Sequence, residues 1–410
     1  MKDSANEYAA MRKITADIIY PVSSEPLKDG VVLMDDEGHI LDVLPSRDGV
    51  GDLEKVDGVL VPGFINAHCH LELSYLKGKI SEGTGLDGFI RDLEKQRGAY
   101  SDEQRLFDAI LAEKEMRNAG IVGVGDIMNT LLTVPVKRSS DLSWFSFLEV
   151  YGFSEKRIDE IWHKGVLDFM HMRTFRSPEK LMPCTLVPHA PYSVSEKLFE
   201  KMSNSSAYQN AIGCIHLAES DEEVEFLLHG TGKIADRLHD FGIDQSDWTP
   251  PGIRPLQFVL PKMMMRSKAL FVHNTVLNAA DFEWLAAQPE EVRNKVHFCF
   301  CPGANLFIEK RLPDFKLFLN AGYPLMLGTD SLASNIHLSI LEEMKLVTAA
   351  VPTLDTQTAL EWACLNPARF FGWDNALGSI EKGKKPGLNL LSGLDANQRI
   401  TESTTVDRIA

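Results

Sequence analysis

Two histidines two residues apart, His68 and His70, close the run Val59-Leu-Val-Pro-Gly-Phe-Ile-Asn-Ala-His-Cys-His70. Side chains alternate across a strand, so the two imidazoles share one side and Cys69 faces the other. Two imidazoles at a strand end make half of a metal site, and the thiol between them is not a ligand. By itself the pair is a weak signal, because buried core histidines are common. It gains weight from the residues that close later apolar runs: His189 in Val187-Pro-His-Ala-Pro-Tyr-Ser193, His216 and Glu219 in His-Leu-Ala-Glu, His273 in Phe271-Val-His-Asn274, and Asp330 in Gly328-Thr-Asp-Ser331. Of 12 histidines, five fall at such ends. His229 and His239 lie in polar helical sequence, and His39, His163 and His171 carry no site signal.

Imidazole with carboxylate suits Zn²⁺, and also Fe²⁺ or Ni²⁺. A catalytic site of this kind keeps one position open for water and lowers that water's pKa to roughly 7. Glu219, read as one turn beyond His216, is placed to shuttle the water's proton to a leaving group. Asp330 can bind the metal and accept a proton, and His273 can polarise the bond under attack.

These residues need elements that bring them to one place. Apolar runs at Gly120–Ile127, Trp144–Tyr151, Met182–Pro188, Ala211–Leu217, Lys268–Val272, Lys295–Cys301 and Pro324–Gly328, with a first run ending at Ala67, predict eight strands. Helical patterns between them include Asp102–Ala119, Ser195–Ser203, Asp221–Phe241 and Ala279–Gln288. Continuous apolar strands separated by amphipathic helices indicate a covered parallel sheet. Eight β/α units over about 300 residues predict an α/β fold, a closed (β/α)₈ TIM-like barrel with its site at the strand C-termini. A doubly wound sheet is the alternative, but no GxGxxG loop opens one. Short β-prone runs at 14–61 and around 378–391 and 404–409 predict a small split β-sandwich, giving divisions at 1–61, 62–374 and 375–410.

The bulk properties narrow the function. A net charge of −16 over 410 residues argues against nucleic acid or an anionic membrane as partner and otherwise reads as solubility, and the expected partner is a small-molecule substrate. No apolar run approaches the ~18 residues a membrane span needs. The first twenty residues are polar and of mixed charge, so no signal peptide is visible. Six cysteines form no disulfide framework, which points to reduced thiols and a cytoplasmic protein. A homodimer is left open.

The segments PGFINAHCH, VPHAPYS, HLAE, LFVHN, CPGAN and GTDS, in this order, resemble the amidohydrolase superfamily in its mononuclear deaminase and chlorohydrolase branch. The likeness runs from about Val61 to Leu390. It implies that His68, His70, His216 and Asp330 bind one divalent metal, Zn²⁺ or alternatively Fe²⁺. It implies that Glu219, His273 and Asp330 handle protons and polarisation, and that His189 contacts substrate. No lysine stands where binuclear relatives carry a carboxylated one. Ala304 departs from the usual CPxSN, and Lys385-Pro-Gly-Leu388 from KADL; both lie off the metal.

Among subfamilies the chain resembles aminodeoxyfutalosine deaminases of the alternative menaquinone route. The likeness rests on His70-Leu-Glu-Leu-Ser74, Gly88-Phe-Ile90, Phe147-Leu-Glu149 and Gly328-Thr-Asp-Ser-Leu-Ala-Ser-Asn335. The implied reaction is hydrolytic deamination of a 6-aminopurine nucleoside. Methylthioadenosine, adenosylhomocysteine or guanine deamination, chloride displacement and cyclic-amide hydrolysis are the alternatives, and a non-enzymatic scaffold would have no reason to keep all four ligands. Ser331 and Asn335 are candidate substrate contacts. Glu72 would face substrate if the strand continues past His70, and is otherwise a loop carboxylate in solvent. Arg311, after the seventh run, is a candidate clamp for a substrate carboxylate, with a plain surface charge as the alternative. Trp248–Pro255 is either a lid or a rigid structural loop.

Overall fold

The eight apolar runs all form strands, and they form them where a parallel sheet needs them. In the computed structural model, which describes residues 11–175, 182–243, 245 and 248–410, these are β1 (Phe64–Cys69), β2 (Ile121–Met128), β3 (Ser143–Val150), β4 (Cys184–Pro188), β5 (Ile212–Leu217), β6 (Lys268–His273), β7 (Val296–Phe300) and β8 (Leu325–Leu327). They make two four-stranded sheets, in the orders β4-β3-β2-β1 and β5-β6-β7-β8. The pairs β3–β4, β5–β6, β6–β7 and β7–β8 run parallel. β1, β2 and β7 are buried along their whole length, which explains why they read as unbroken apolar runs.

The chain divides into two compact units. The first comprises 1–66, 114–123 and 339–410. It differs from the sequence divisions in taking in 62–66, 114–123 and 339–374. Within this unit, the Gly120 carbonyl accepts from the Phe64 N–H (2.9 Å) and from Asn389 Nδ2 (2.8 Å). Its short strands form two four-stranded sheets, and Ile14, Ile19, Val32, Met34, Ile40, Leu60, Ile380 and Leu388 make its core.

The second unit, 67–113 and 124–338, holds every candidate site residue. Part of its core is a cluster of rings: Phe298 contacts Phe271, Phe282 and Phe318, and Phe300 contacts Phe315 and Phe318. Each such side chain contributes about 1.5–3 kcal/mol by leaving water. The helix expected over Asp221–Phe241 is two helices, Asp221–His229 and Lys233–Asp240. Gly230, at φ +69, ends the first in the left-handed conformation that glycine adopts without penalty. Trp248 stacks on Phe226 at 4.5 Å, and Arg254 pairs with Asp281 at 2.8 Å. These contacts favour the rigid-loop reading of Trp248–Pro255.

Candidate metal centre and active-site cleft

β1 delivers His68 within the strand and His70 just past its end. Gly328, which follows β8, has no room for a side chain. A Cβ there would stand 2.8 Å from His68 Cβ and from its carbonyl oxygen, and 2.9 Å from its nitrogen. This close approach lets the His68 carbonyl accept from the N–H groups of Thr329 (3.0 Å) and Asp330 (3.1 Å). Asp330 takes φ +56, and His273 at the end of β6 takes φ +73. Such conformations cost about 1–3 kcal/mol each for a non-glycine residue and persist where surrounding contacts over-determine them. Asn274 supplies such contacts, its side-chain amide donating to the carbonyls of Phe271 (2.8 Å) and Cys299 (3.1 Å).

Four donor atoms converge. His70 Nε2 lies 3.2 Å from His68 Nε2 and 3.3 Å from His216 Nε2, and the latter two are 3.2 Å apart. Asp330 Oδ1 is 3.3 Å from His68 Nε2 and 3.2 Å from His70 Nε2. A tetrahedral ion with ligand arms of about 2.0–2.1 Å has edges of about 3.3–3.4 Å, so the set fits one small divalent ion. Ring tautomers agree with this use. His216 Nδ1 faces the His189 carbonyl at 2.9 Å, which can only accept and so leaves Nε2 to the centre, while His68 turns Nδ1 to Cys214 Sγ at 3.8 Å and Nε2 inward. Ser334 donates to Asp330 Oδ2, which leaves Oδ1 for the histidines.

His273 also belongs to this neighbourhood: donors of His68, His216, His273 and Asp330 lie within 4.8 Å of one another. Its Nε2 is 3.6 Å from Glu219 Oε1, which sets it toward that carboxyl. Glu219 is not a helical turn beyond His216. β5 ends at Leu217, Ala218 turns at φ +50, and Glu219 precedes the cap Ser220 of the next helix. Glu223 fixes this turn by accepting from the N–H groups of Ala218 (2.8 Å) and Glu219 (3.2 Å).

The charge states follow from burial. Burial pushes the Glu219 carboxyl well above the usual range, and the charges of Asp330, Glu223 and Glu309 push it the same way. Burial takes the His273 imidazole down to about 3 against the pull of Asp330. Burial also raises Asp330, but hydrogen bonds from His68 and His70 and the charges of His70 and His273 outweigh it and hold the carboxylate well below its ordinary value. The surroundings thus favour the protonated form of Glu219, the anion of Asp330 and the neutral imidazole of His273.

A cleft of about 1210 Å³ opens onto the centre, with His70, His189, His216, Glu219, His273 and Asp330 at its floor. His189 holds Ser193 Oγ at 2.6 Å through Nδ1. Ser331 lines the cleft and bonds Ser334 at 3.0 Å. Glu72 lines it too, but not by strand continuation: Leu71–Leu76 is a 3₁₀ helix. Its buried carboxylate accepts from the N–H groups of Asn129 and Thr130 and from the Thr130 hydroxyl, each at 3.0 Å, so it is not a loop charge in solvent. Asn335 is buried away from the lining and donates to the Thr329 carbonyl at 2.9 Å. Arg311 is exposed, pairs with Asp221 at 3.2 Å and does not line the cleft, which matches its surface-charge alternative. Cys69 is buried, and burial pushes its thiol well up.

Glu149, near the end of β3, went unassigned in the sequence. It reaches the cleft with Oε1 3.5 Å from His216 Nδ1, while Asn129 Nδ2 donates to Oε2 at 3.0 Å. The strand-end rule that found the histidines also reaches this residue. Asp126 in β2 accepts from the Leu71 N–H at 2.8 Å and faces the fully buried Lys137. This pair stiffens the backbone immediately after His70.

The model of the amidohydrolase family matches residues 59–409. The chain belongs to the amidohydrolase family. It is an enzyme, and the amidohydrolase assignment covers both the strands and the converging donors. It is 26% identical over 369 residues to a 5-methylthioadenosine/S-adenosylhomocysteine deaminase of Saccharophagus degradans, covering 85% of this chain and 76% of that one. Its fold is similar to that of Helicobacter pylori aminofutalosine deaminase in complex with methylthio-coformycin, with TM-score 0.77, 23% identity, and coverage of 94% of this chain and 93% of that one. It is also similar to a zinc-bound adenosine deaminase of Xanthomonas campestris, with TM-score 0.71, 23% identity, and coverage of 93% and 84%. Among the described residues no helix is long and apolar enough to cross a membrane.

Proposed function

We propose that this amidohydrolase is a mononuclear metal-dependent deaminase that converts a 6-aminopurine nucleoside to its 6-oxo product and ammonia. The observation that carries the reading is the buried carboxyl of Glu219, 3.6 Å from His273 and beside the four-donor centre, where burial favours its protonated form. Expelling ammonia requires a proton donor next to the attacked carbon, and an ionised carboxylate could not serve. His68, His70, His216 and Asp330 would hold the ion, and the zinc of the Xanthomonas campestris protein supports Zn²⁺. When bound, the ion supplies Lewis acidity that brings a water's pKa to roughly 7.

The chain's own groups do the rest. Asp330 is ionised and accepts the proton lost as the water oxygen joins C6. Glu219 delivers its proton to the amino nitrogen as the C6–N bond breaks. His273, held neutral, donates or accepts at the developing oxygen. His189 and Ser331, both on the cleft, face the purine. The two parallel sheets are read as a single closed (β/α)₈ barrel. The His216 N–H to the His189 carbonyl (2.9 Å) and the bonds to the His68 carbonyl are the contacts such closure would use.

Aminodeoxyfutalosine is the leading substrate, supported by the name of the Helicobacter pylori structure and by the size of the cleft. Methylthioadenosine and S-adenosylhomocysteine are the second reading, favoured by the Saccharophagus degradans relative. An ammonia-release assay of zinc-loaded enzyme on aminodeoxyfutalosine, methylthioadenosine, S-adenosylhomocysteine, adenosine and guanine tests both. Ammonia from none of them, with chloride or a ring-opened acid from triazines or cyclic amides instead, would overturn the deaminase reading.

A further inference from the structure

Away from its floor, the cleft has a wall whose chemistry deamination does not use. It is formed by the 3₁₀ segment Leu71–Leu76, the end of the helix Gly85–Gln96 and the start of the helix Asp102–Asn118. Tyr75 and Tyr100 are in ring contact there, with centroids 5.1 Å apart and planes inclined at 57°. The Arg105 guanidinium lies 5.3 Å from the Tyr75 centroid. Arg97 is close enough for its charge to act on the Tyr75 hydroxyl. All four side chains line the cleft.

Of the other cations of the lining, Arg237 is held between Asp87 and Glu94 with little exposure, while Arg157 and Lys164 are largely exposed and pair with Glu160 and Asp168 on their own helical segment. Arg97 makes no ion pair among the described residues. Arg105 uses Nη1 on Asp102, at 3.1 Å, and Asp102 is itself 74% exposed, so that pairing is weakened by solvent. Its Nε is buried and makes no hydrogen bond. That buried edge is closed to a ligand, but Nη2 makes no hydrogen bond among the described residues and is left for an acceptor in the cleft. The Nη1–Nη2 edge of a guanidinium is a fork that fits a carboxylate with two parallel bonds, and on Arg105 only the solvent-weakened Asp102 contact competes for it. Phenol rings beside it suit a flat apolar body rather than a hydrated phosphate.

We propose that this wall is a subsite for the planar, carboxylate-bearing tail of the substrate, with Arg105 as its bidentate partner, Arg97 as a second charge and the Tyr75–Tyr100 pair as its platform. The placement rests on the deaminase reading, with the purine at the floor. Tyr75 is five residues past His70, and a 3₁₀ rise of about 2.0 Å per residue sets it roughly 10 Å away. That is the reach of a nucleoside whose base sits at the metal centre. The proposal returns to the chain the carboxylate clamp that Arg311, turned to Asp221, does not supply.

Two measurements test it. The first is the ratio of kcat/KM for carboxylate-tailed nucleosides (aminodeoxyfutalosine, S-adenosylhomocysteine) to that for neutral-tailed ones (methylthioadenosine, adenosine), in wild type, Arg105→Gln and Arg97→Gln. Arg105→Gln should lower the ratio about 10- to 100-fold, the scale of a charge-assisted pair, and Arg97→Gln should lower it less. Because a ratio is read, general damage to the fold cancels. An unchanged ratio overturns the subsite. The second measurement is independent of turnover: calorimetric titration with benzoate and with benzamide. Wild type should bind benzoate more tightly than benzamide, and Arg105→Gln should abolish the difference. Equal or undetectable binding of the two by wild type overturns the subsite. A benzoate preference in an enzyme that deaminates none of the nucleosides would sink the deaminase reading while keeping the anion site.

Discussion

Gly328→Ala should cost the protein its metal before it costs the fold. The added Cβ would lie 2.8 Å from His68 Cβ and carbonyl oxygen, whereas ordinary van der Waals contact starts at 3.4 Å. Relief requires a shift of about 0.6 Å along the contact between the Gly328–Asp330 segment and β1. Two of the four converging donors, His68 and Asp330, stand on opposite sides of that contact, and the Thr329 and Asp330 N–H bonds cross it. Metal–ligand distances tolerate about 0.2 Å, so the centre cannot absorb the shift unchanged. Overpacking of this kind costs about 1–3 kcal/mol. If it falls mainly on the donor arrangement, metal affinity drops about 10- to 100-fold. Chelator competition followed by elemental analysis would measure this, with far-UV circular dichroism reporting the fold. Gly51→Ala is the control, since a Cβ there meets nothing within 4 Å. Wild-type metal affinity in Gly328→Ala would refute the argument that the glycine sets the donor geometry.

The same geometry predicts further outcomes. Glu219→Gln should keep the metal and lose at least ~10² in turnover, and His273→Asn should behave alike; metal loss in the former, seen by elemental analysis, would make Glu219 a ligand instead. Lys137→Met should leave the buried Asp126 uncompensated and cost about 3–5 kcal/mol in a denaturant titration, with Asp126→Asn restoring part of it. A midpoint unchanged in Lys137→Met would show that the pair carries no weight. His297, buried and lowered to about 4, binds its proton only below that pH when folded, while the unfolded chain binds it near 6.5. Its contribution is thus complete above pH 6.5 and lost as pH falls toward 4, by up to roughly 3 kcal/mol. His297→Gln should flatten that acid limb in a series of melts from pH 7 to pH 4, and an unaltered slope would assign the limb to other groups.

The strands and the converging donors were legible in the sequence because each signal was local. Buried parallel strands are continuous apolar runs, and the donors come at or near their ends. What was misread depended on backbone direction or on distant partners. Glu72 has the spacing of a strand residue, but the chain winds into a 3₁₀ turn after His70 and hands its carboxylate to Asn129 and Thr130. Arg311 follows the seventh strand, but the intervening helix Pro302–Glu309 carries it out to Asp221. The Asp221–Phe241 periodicity hid a break because Gly230 and Gly232 interrupt the helix without disturbing the apolar pattern. Lys137 with Asp126 and Arg105 beside Tyr75 are pairings between separate elements, for which no spacing rule exists. Glu149 was within reach of the strand-end argument, but it lies inside the apolar run Trp144–Tyr151 and not after it, so it entered only as part of Phe147-Leu-Glu149.

The floor and the wall of the cleft differ in how they can change. Floor residues hang on strand ends and left-handed turns, where His273, Ala218 and Asp330 depend on particular backbone bonds, so a replacement there disturbs its neighbours. Wall residues such as Arg97, Tyr100 and Arg105 stand on helical and linking segments whose backbone does not depend on their side chains. Substrate preference can therefore drift by exchange of wall side chains while the reaction at the floor stays fixed. A library confined to the wall should yield altered tail selectivity at little cost in metal content, whereas one confined to the floor should yield mostly inactive, metal-poor protein.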